Sequence, residues 1–153
     1  MHLDQPTPQD LAEVVANAWD PQRAEIAAFC GPDETPLQYV ARLDAKSVIT
    51  HALYYNDRPY AVGGMWLEDR HTAGTWLIHT EQALEYYGYI IRAIRSMMKQ
   101  MAVADIRVFQ ATTLEHERTQ RFYLALGMHK VRDLPGEGVN GETLALYERW
   151  GVN

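Results

Sequence analysis

The spacing of apolar positions divides the chain into regions of different period. Leu11, Val14, Val15, Ala18 and Trp19 recur at a period of 3.6, so the run after Pro8-Gln9-Asp10 predicts a helix reaching Trp19. Asp20-Pro21 reads as an N-cap with proline at the first helical position, opening a second helix over PQRAEIAAF that Gly31-Pro32 stops. Thr35-Pro36 repeats the start signal for LQYVARLDA. From Ser47 the period becomes two. SVITHALYY and PYAVGGMWL, rich in β-branched and aromatic residues, flank the turn signal Asn56-Asp57-Arg58. GTWLIH, Gly74 to His79, follows a polar turn at Glu68-Asp69-Arg70-His71, so three consecutive antiparallel strands are expected.

The longest helical pattern runs from Thr80 to about Met101, with Leu84, Tyr87, Ile91, Ile94, Met98 and Met101 on one stripe. Asp105 to Ala111 predicts a strand, Leu114 to Leu126 a helix closed by Gly127, and Met128 to Arg132 another strand. A glycine-rich turn at 136–141 leads to ETLALYERW, a closing hairpin strand whose exposed face offers an edge for pairing with a second copy. No repeat, low-complexity tract or linker interrupts the chain, so a single domain over 1–153 is expected.

Composition narrows the function classes. With 153 residues, 47% apolar and 22% charged, the chain is long enough to bury a core without disulfides or metals. A net charge of −6 opposes a phosphate-binding surface, so no nucleic-acid partner is expected. Cys30 is alone, the N-terminus lacks a signal-peptide layout, and no apolar run approaches the roughly 20 residues of a membrane-spanning helix. A cytoplasmic protein without a membrane partner is the expectation. His51, His71, His79, His116 and His129 show no metal-ligand spacing, so no metal site is expected. Gly63-Gly64 inside a strand marks a bulge or the close approach of another backbone. Trp66, Trp76, Tyr54, Tyr55, Tyr60 and Tyr86 are available to line a cleft or to pack beneath helices.

The segment His116 to Met128, HERTQRFYLALGM, resembles the C-terminal signature N-x-x-A-x-x-F-Y-x-x-x-G-F of the GCN5-related N-acetyltransferases (GNAT). It departs from that signature by His116 for Asn, Thr119 for Ala and Met128 for Phe. The element order, with PTPQDL as a strand-to-helix opening, is similar to that family's over nearly the whole chain. The resemblance implies an α/β fold of the acyl-CoA N-acyltransferase kind, a mixed central sheet flanked by helices. It implies transfer of an acetyl group from acetyl-CoA to an amine. Tyr123 would protonate the leaving thiolate, a step a phenol of pKa about 10 can make; the plain alternative is that Tyr123, like Phe122 and Leu126, is a packing residue. Phe122 and His116 would lie on the helix beside the pantetheine, although His116 also reads as a polar helix start in solvent. Backbone groups of Thr75 to Ile78, including Trp76, Leu77 and Ile78, would hold the donor.

The pyrophosphate site is implied at Thr80, Glu81 and Gln82, with Thr80 capping the long helix so that unpaired N–H groups meet an anion. Here the sequence departs from the family: the glycine loop is missing, Gly88 lies inside the helical pattern, and Glu81 puts a like charge where phosphate would sit. Glu81 is equally a dipole-favourable first-turn residue. Glu68 and His79, at strand ends, are the candidate general bases, against a solvated turn charge and a locally bonded histidine. WLIHTE followed by a long helix, a strand and an R-F-Y-x-x-x-G helix also resembles a divergent branch of this fold encoded by tailed bacteriophages. That resemblance implies, as the alternative, an inactive protein of virion assembly or one binding a host or phage protein.

Overall fold

The computed structural model describes residues 1–113 and 117–150. Its elements are β1 His2–Asp4, α1 Pro8–Ala16, α2 Asp20–Phe29, α3 Pro36–Lys46, β2 Ile49–Tyr55, β3 Arg58–Asp69, β4 Thr72–His79, a 3-10 turn Gln82–Tyr86, α4 Tyr87–Val103, β5 Arg107–Thr112, α5 Glu117–Ala125, β6 His129–Leu134 and β7 Leu144–Arg149. The strand order is β1-β2-β3-β4-β5-β7-β6, seven strands in a mixed sheet. The β4–β5 pair is parallel, and β1–β2, β2–β3, β5–β7 and β6–β7 are antiparallel. This is the α/β architecture expected. Contacts group the chain into two compact units: Met1–Trp66 with Thr75–Tyr86, and Leu67–Gly74 with Tyr87 onward.

In the first unit the helix starts follow from local chemistry. Thr7 and Asp10 form a reciprocal capping box at α1, and Thr35 and Gln38 form one at α3, each with proline next to the cap. The α1 helix ends at Ala16, short of the expected Trp19, because the following residues leave the helix for β4: Ala18 bridges Thr80 and the Trp19 N–H donates to the His79 carbonyl at 2.9 Å. Trp19, not Asp20, stands at the N-cap of α2, with no side-chain capping bond. Leu11, Val14, Ile26, Val40 and Leu43 from the three helices pack with Val62, Trp76 and Ile78 of β3 and β4, each worth about 1.5–3 kcal/mol if fully removed from water.

The β2–β3 hairpin closes on Asn56 and Asp57, both at positive φ (49° and 60°), the conformation that matches the twist of a two-residue turn. Gly63 and Gly64 are a close-approach pair: the register slip in this hairpin falls at Leu53/Tyr54, while a Cβ on Gly63 would lie 2.7 Å from the Trp76 carbonyl oxygen. The β3 strand continues through Glu68 and Asp69, so the turn into β4 is only Arg70-His71, shorter than the four residues expected.

In the second unit, β7 pairs with β5 from Thr112↔Ala145 to Val108↔Arg149 and with β6 from Leu134↔Leu144 to His129↔Glu148. The strand in ETLALYERW is therefore interior, and the edge it was expected to offer is already paired; β1 and β6 end the order. The long helical pattern begins later than expected. Thr80 does not cap it, and the residues up to Tyr86 form the 3-10 turn. Among the described residues no helix is long and apolar enough to cross a membrane, and no group of side chains is arranged for a metal ion.

Candidate functional site

Two groups of residues carry the sequence expectations, one in each unit. The first surrounds the end of β4. Backbone direction alternates along a strand. The Thr80 N–H donates to the Tyr60 carbonyl at 2.9 Å, so Thr80 faces β3, and the backbone groups of Leu77 and His79 face the opposite edge. There the Gln22 side chain of α2 meets them: its Nε2 donates to the Leu77 carbonyl at 3.0 Å and its Oε1 accepts from the His79 N–H at 2.6 Å.

The His79 side chain is 2% exposed, and its ring stacks on Trp19 at 5.5 Å between centroids. Its Nδ1 lies 2.9 Å from the Thr80 carbonyl, which only accepts, so Nδ1 carries the hydrogen and Nε2 is the basic nitrogen. Burial lowers the imidazole pKa from its usual value, and the bond to Thr80 offsets part of that shift. Burial therefore favours the uncharged ring. Glu68, the other candidate base, is an exposed residue near the far end of β3.

The residues expected to hold the donor fall in different surroundings. Trp76 and Ile78 point into the core beneath the helices, with the Trp76 indole N–H donating to Ser47 Oγ at 2.9 Å. Leu77 is half-buried. Thr80 is buried, and both its N–H and its hydroxyl donate to the Tyr60 carbonyl. Glu81 and Gln82 are exposed at the start of the 3-10 turn, and the next N–H groups, of Ala83 and Leu84, are spent on the Thr80 and Glu81 carbonyls. Of the aromatics, Tyr55, Tyr60 and Tyr86 form one tilted cluster with centroids 5.1–6.1 Å apart. Tyr54 donates its hydroxyl to Asp10, and Lys46 Nζ sits 3.5 Å above the Trp66 ring.

The second group is on α5. Phe122 and Tyr123 are buried; Phe122 packs against Tyr87, and Tyr123 stacks on Tyr147 of β7 at 4.5 Å. Burial pushes the Tyr87 phenol up to about 12. The helix closes by a Schellman motif: Gly127 has φ +77°, its N–H donates to Leu124, and the Met128 N–H reaches back to the Tyr123 carbonyl at 3.0 Å. The cap accounts for the glycine at the helix end; it uses only the backbone carbonyl of Tyr123 and asks nothing of that side chain. Arg149 Nη1 donates to the Leu126 carbonyl at 2.6 Å, adding a cation at the helix C-terminus. His116 lies outside the described residues.

Sequence reasoning missed Gln22. The available signal was a polar residue four positions before Ile26, on the stripe that α2 buries.

By sequence, no family model matches the chain, and no curated protein is matched. By structure the likeness is extensive. Ard1 from Thermoplasma volcanium is 12% identical with a TM-score of 0.74, covering 99% of this chain and 98% of that one. The ribosomal-protein-alanine N-acetyltransferase from Brucella melitensis is 9% identical with a TM-score of 0.71, covering 98% and 99%. An acetyltransferase of the GNAT family from Streptococcus pneumoniae is 12% identical with a TM-score of 0.66, covering 99% of both. With its helical opening, its parallel β4–β5 pair and its interior β7, the chain has the fold of the GCN5-related N-acetyltransferases.

Proposed function

We propose that the chain is an N-acyltransferase that moves an acetyl group from acetyl-CoA to an amine. The observation that carries this is the length of the structural likeness: two proteins named as acetyltransferases superpose over 98–99% of this chain despite identities of 9–12%.

In the proposed reaction the amine nitrogen attacks the thioester carbonyl carbon. The tetrahedral adduct expels the thiolate, the amine loses one proton, and the thiolate gains one. His79 Nε2 takes the amine proton: its tautomer is set by Thr80 and burial favours its uncharged form. Backbone groups of β4 between Thr75 and Ile78 hold the donor carbonyl. Tyr123 is assigned the role the family resemblance gives it, proton donor to the leaving thiolate. The diphosphate of the donor has no glycine loop to enter, so its contacts fall to the first N–H groups of the 3-10 turn, at Glu81 and Gln82, which a helical segment leaves unpaired internally.

Calorimetric titration with acetyl-CoA and with desulfo-CoA tests this first. The expected result is micromolar binding, about −8 kcal/mol. A panel of amines then follows release of free thiol, with Tyr123→Phe expected to lower kcat by about 10²-fold or more, the usual contribution of a positioned acid. No heat up to millimolar ligand refutes the proposal.

A further inference from the structure

The end of β4 is held on more sides than a strand terminus requires. Gln22 is 8% exposed, and burying a carboxamide is costly unless its donor and acceptor are both paired. Here both are, to backbone groups 55 and 57 residues away along the chain. Taking the carbonyl of Leu77 and the N–H of His79 on either side of Ile78 is how one residue of a parallel neighbouring strand would bond. The side chain therefore stands in for a strand. The Trp19 N–H takes the His79 carbonyl from the same side, and the Trp19 ring covers the imidazole face.

We propose that Gln22 is the positioning residue for His79, fixing the backbone of that residue so that its ring keeps Nδ1–H on the Thr80 carbonyl and presents Nε2 as the basic nitrogen. Every backbone group of His79 is then anchored from α2 or its N-cap: N–H by Gln22 Oε1, C=O by the Trp19 N–H. The ring's one hydrogen is anchored by the next residue in the chain. An aliphatic residue at position 22 would fill the space but leave the Leu77 carbonyl and the His79 N–H unpaired, and the strand end would turn to find other partners. The value of the ring as a base rests on the acyl-transfer reading above; the hold on the ring does not, and the test reads the ring directly.

The measurement is the two-bond nitrogen–proton spectrum of the histidine rings in the ¹⁵N-labelled full chain at neutral pH, for wild type, Gln22→Met and Gln22→Glu. Wild type is expected to show His79 as one neutral tautomer, protonated at Nδ1 and pyridine-like at Nε2. Gln22→Met keeps the side-chain volume without a carboxamide and is expected to shift both ring nitrogens toward averaged values, with the rest of the amide spectrum retained. Gln22→Glu keeps an oxygen for the His79 N–H and is expected to preserve the single tautomer. A Met variant that folds and keeps the wild-type tautomer overturns the proposal. If that variant does not fold, an Nε2–H tautomer in wild type or averaged nitrogens in the Glu variant overturns it instead. Failure of acetyl-CoA to bind, by contrast, refutes the acyl-transfer reading and leaves these spectra unchanged.

Discussion

Substituting alanine at Gly64 adds a single methyl group where the backbone of the hairpin and an indole meet. A Cβ there would lie 2.7 Å from the Ile49 carbonyl oxygen, 2.7 Å from Trp76 Nε1 and 3.0 Å from Ser47 Oγ. None of these can retreat cheaply. The carbonyl belongs to β2, and the indole N–H is bonded to Ser47 Oγ at 2.9 Å, which in turn donates to the Leu43 carbonyl at 2.7 Å. Overpacking of this kind costs about 1–3 kcal/mol. If the indole moves enough to lose Ser47, an unpaired N–H in a residue only 6% exposed adds about 1–3 kcal/mol. One displacement serves both, so the two do not add fully, and the expected loss is about 3 kcal/mol, close to a hundredfold in the unfolding equilibrium. Urea unfolding followed by tryptophan fluorescence and by circular dichroism reads it as a lower midpoint at unchanged slope. Adding Trp76→Phe, which removes the N–H and shortens the ring, should recover part of the loss. A Gly64→Ala midpoint within about 0.5 kcal/mol of wild type would show that the strands relax freely here and refute the reasoning.

Gly88 is the opposite case: it sits in the first turns of α4, where an added methyl group would meet only the tip of Arg92 at 3.7 Å, so Gly88→Ala should stabilise by about 0.5–1 kcal/mol in the same assay. The buried His79 ring binds its proton less readily folded than unfolded, so its contribution is complete above the ordinary histidine pKa of 6.5 and is lost as pH falls through the lowered folded value. His79→Gln should flatten that acid-side loss in urea midpoints taken from pH 7.5 to 5; an unchanged slope would place the titration elsewhere. Arg149→Met leaves the Leu126 carbonyl at the α5 terminus without its charged donor and should cost about 1.5–3 kcal/mol, read as a fall in the thermal midpoint.

Local signals were the legible part of the fold. The proline-adjacent capping boxes at Thr7 and Thr35, the Asn56-Asp57 turn and the Gly127 cap each need only neighbouring residues to be satisfied, so each can be recognised from a few letters. The elements that extended wrongly depend on partners far away in sequence. Trp19 continues the apolar stripe of α1, yet its N–H is claimed by His79, 60 positions later, and the helix stops. Thr80 has the chemistry of a cap but spends its hydroxyl on Tyr60. The same rule divides the candidate site. His79 was visible as a polar residue at the end of an apolar strand, whereas Gln22 shows only as a polar residue on the stripe that α2 buries, and its two partners lie 55 and 57 positions away. In α5 the glycine of the signature is legible as a helix stop as well, since Gly127 closes the helix in a Schellman cap.

The position of β7 has a consequence for how the second unit is made. Both of its neighbours, β5 and β6, precede it in the chain, and they bond to β7 rather than to each other. During synthesis both leave the ribosome with no partner on that side; the local β6–β7 hairpin can zip once β7 emerges, whereas the β5–β7 ladder must close over the helix and strand between them. The sheet closes only when its middle arrives, which ties it to non-local contacts and slow closure. A chain truncated before Leu144 therefore loses two ladders rather than one and exposes two unsatisfied strand edges to other nascent chains.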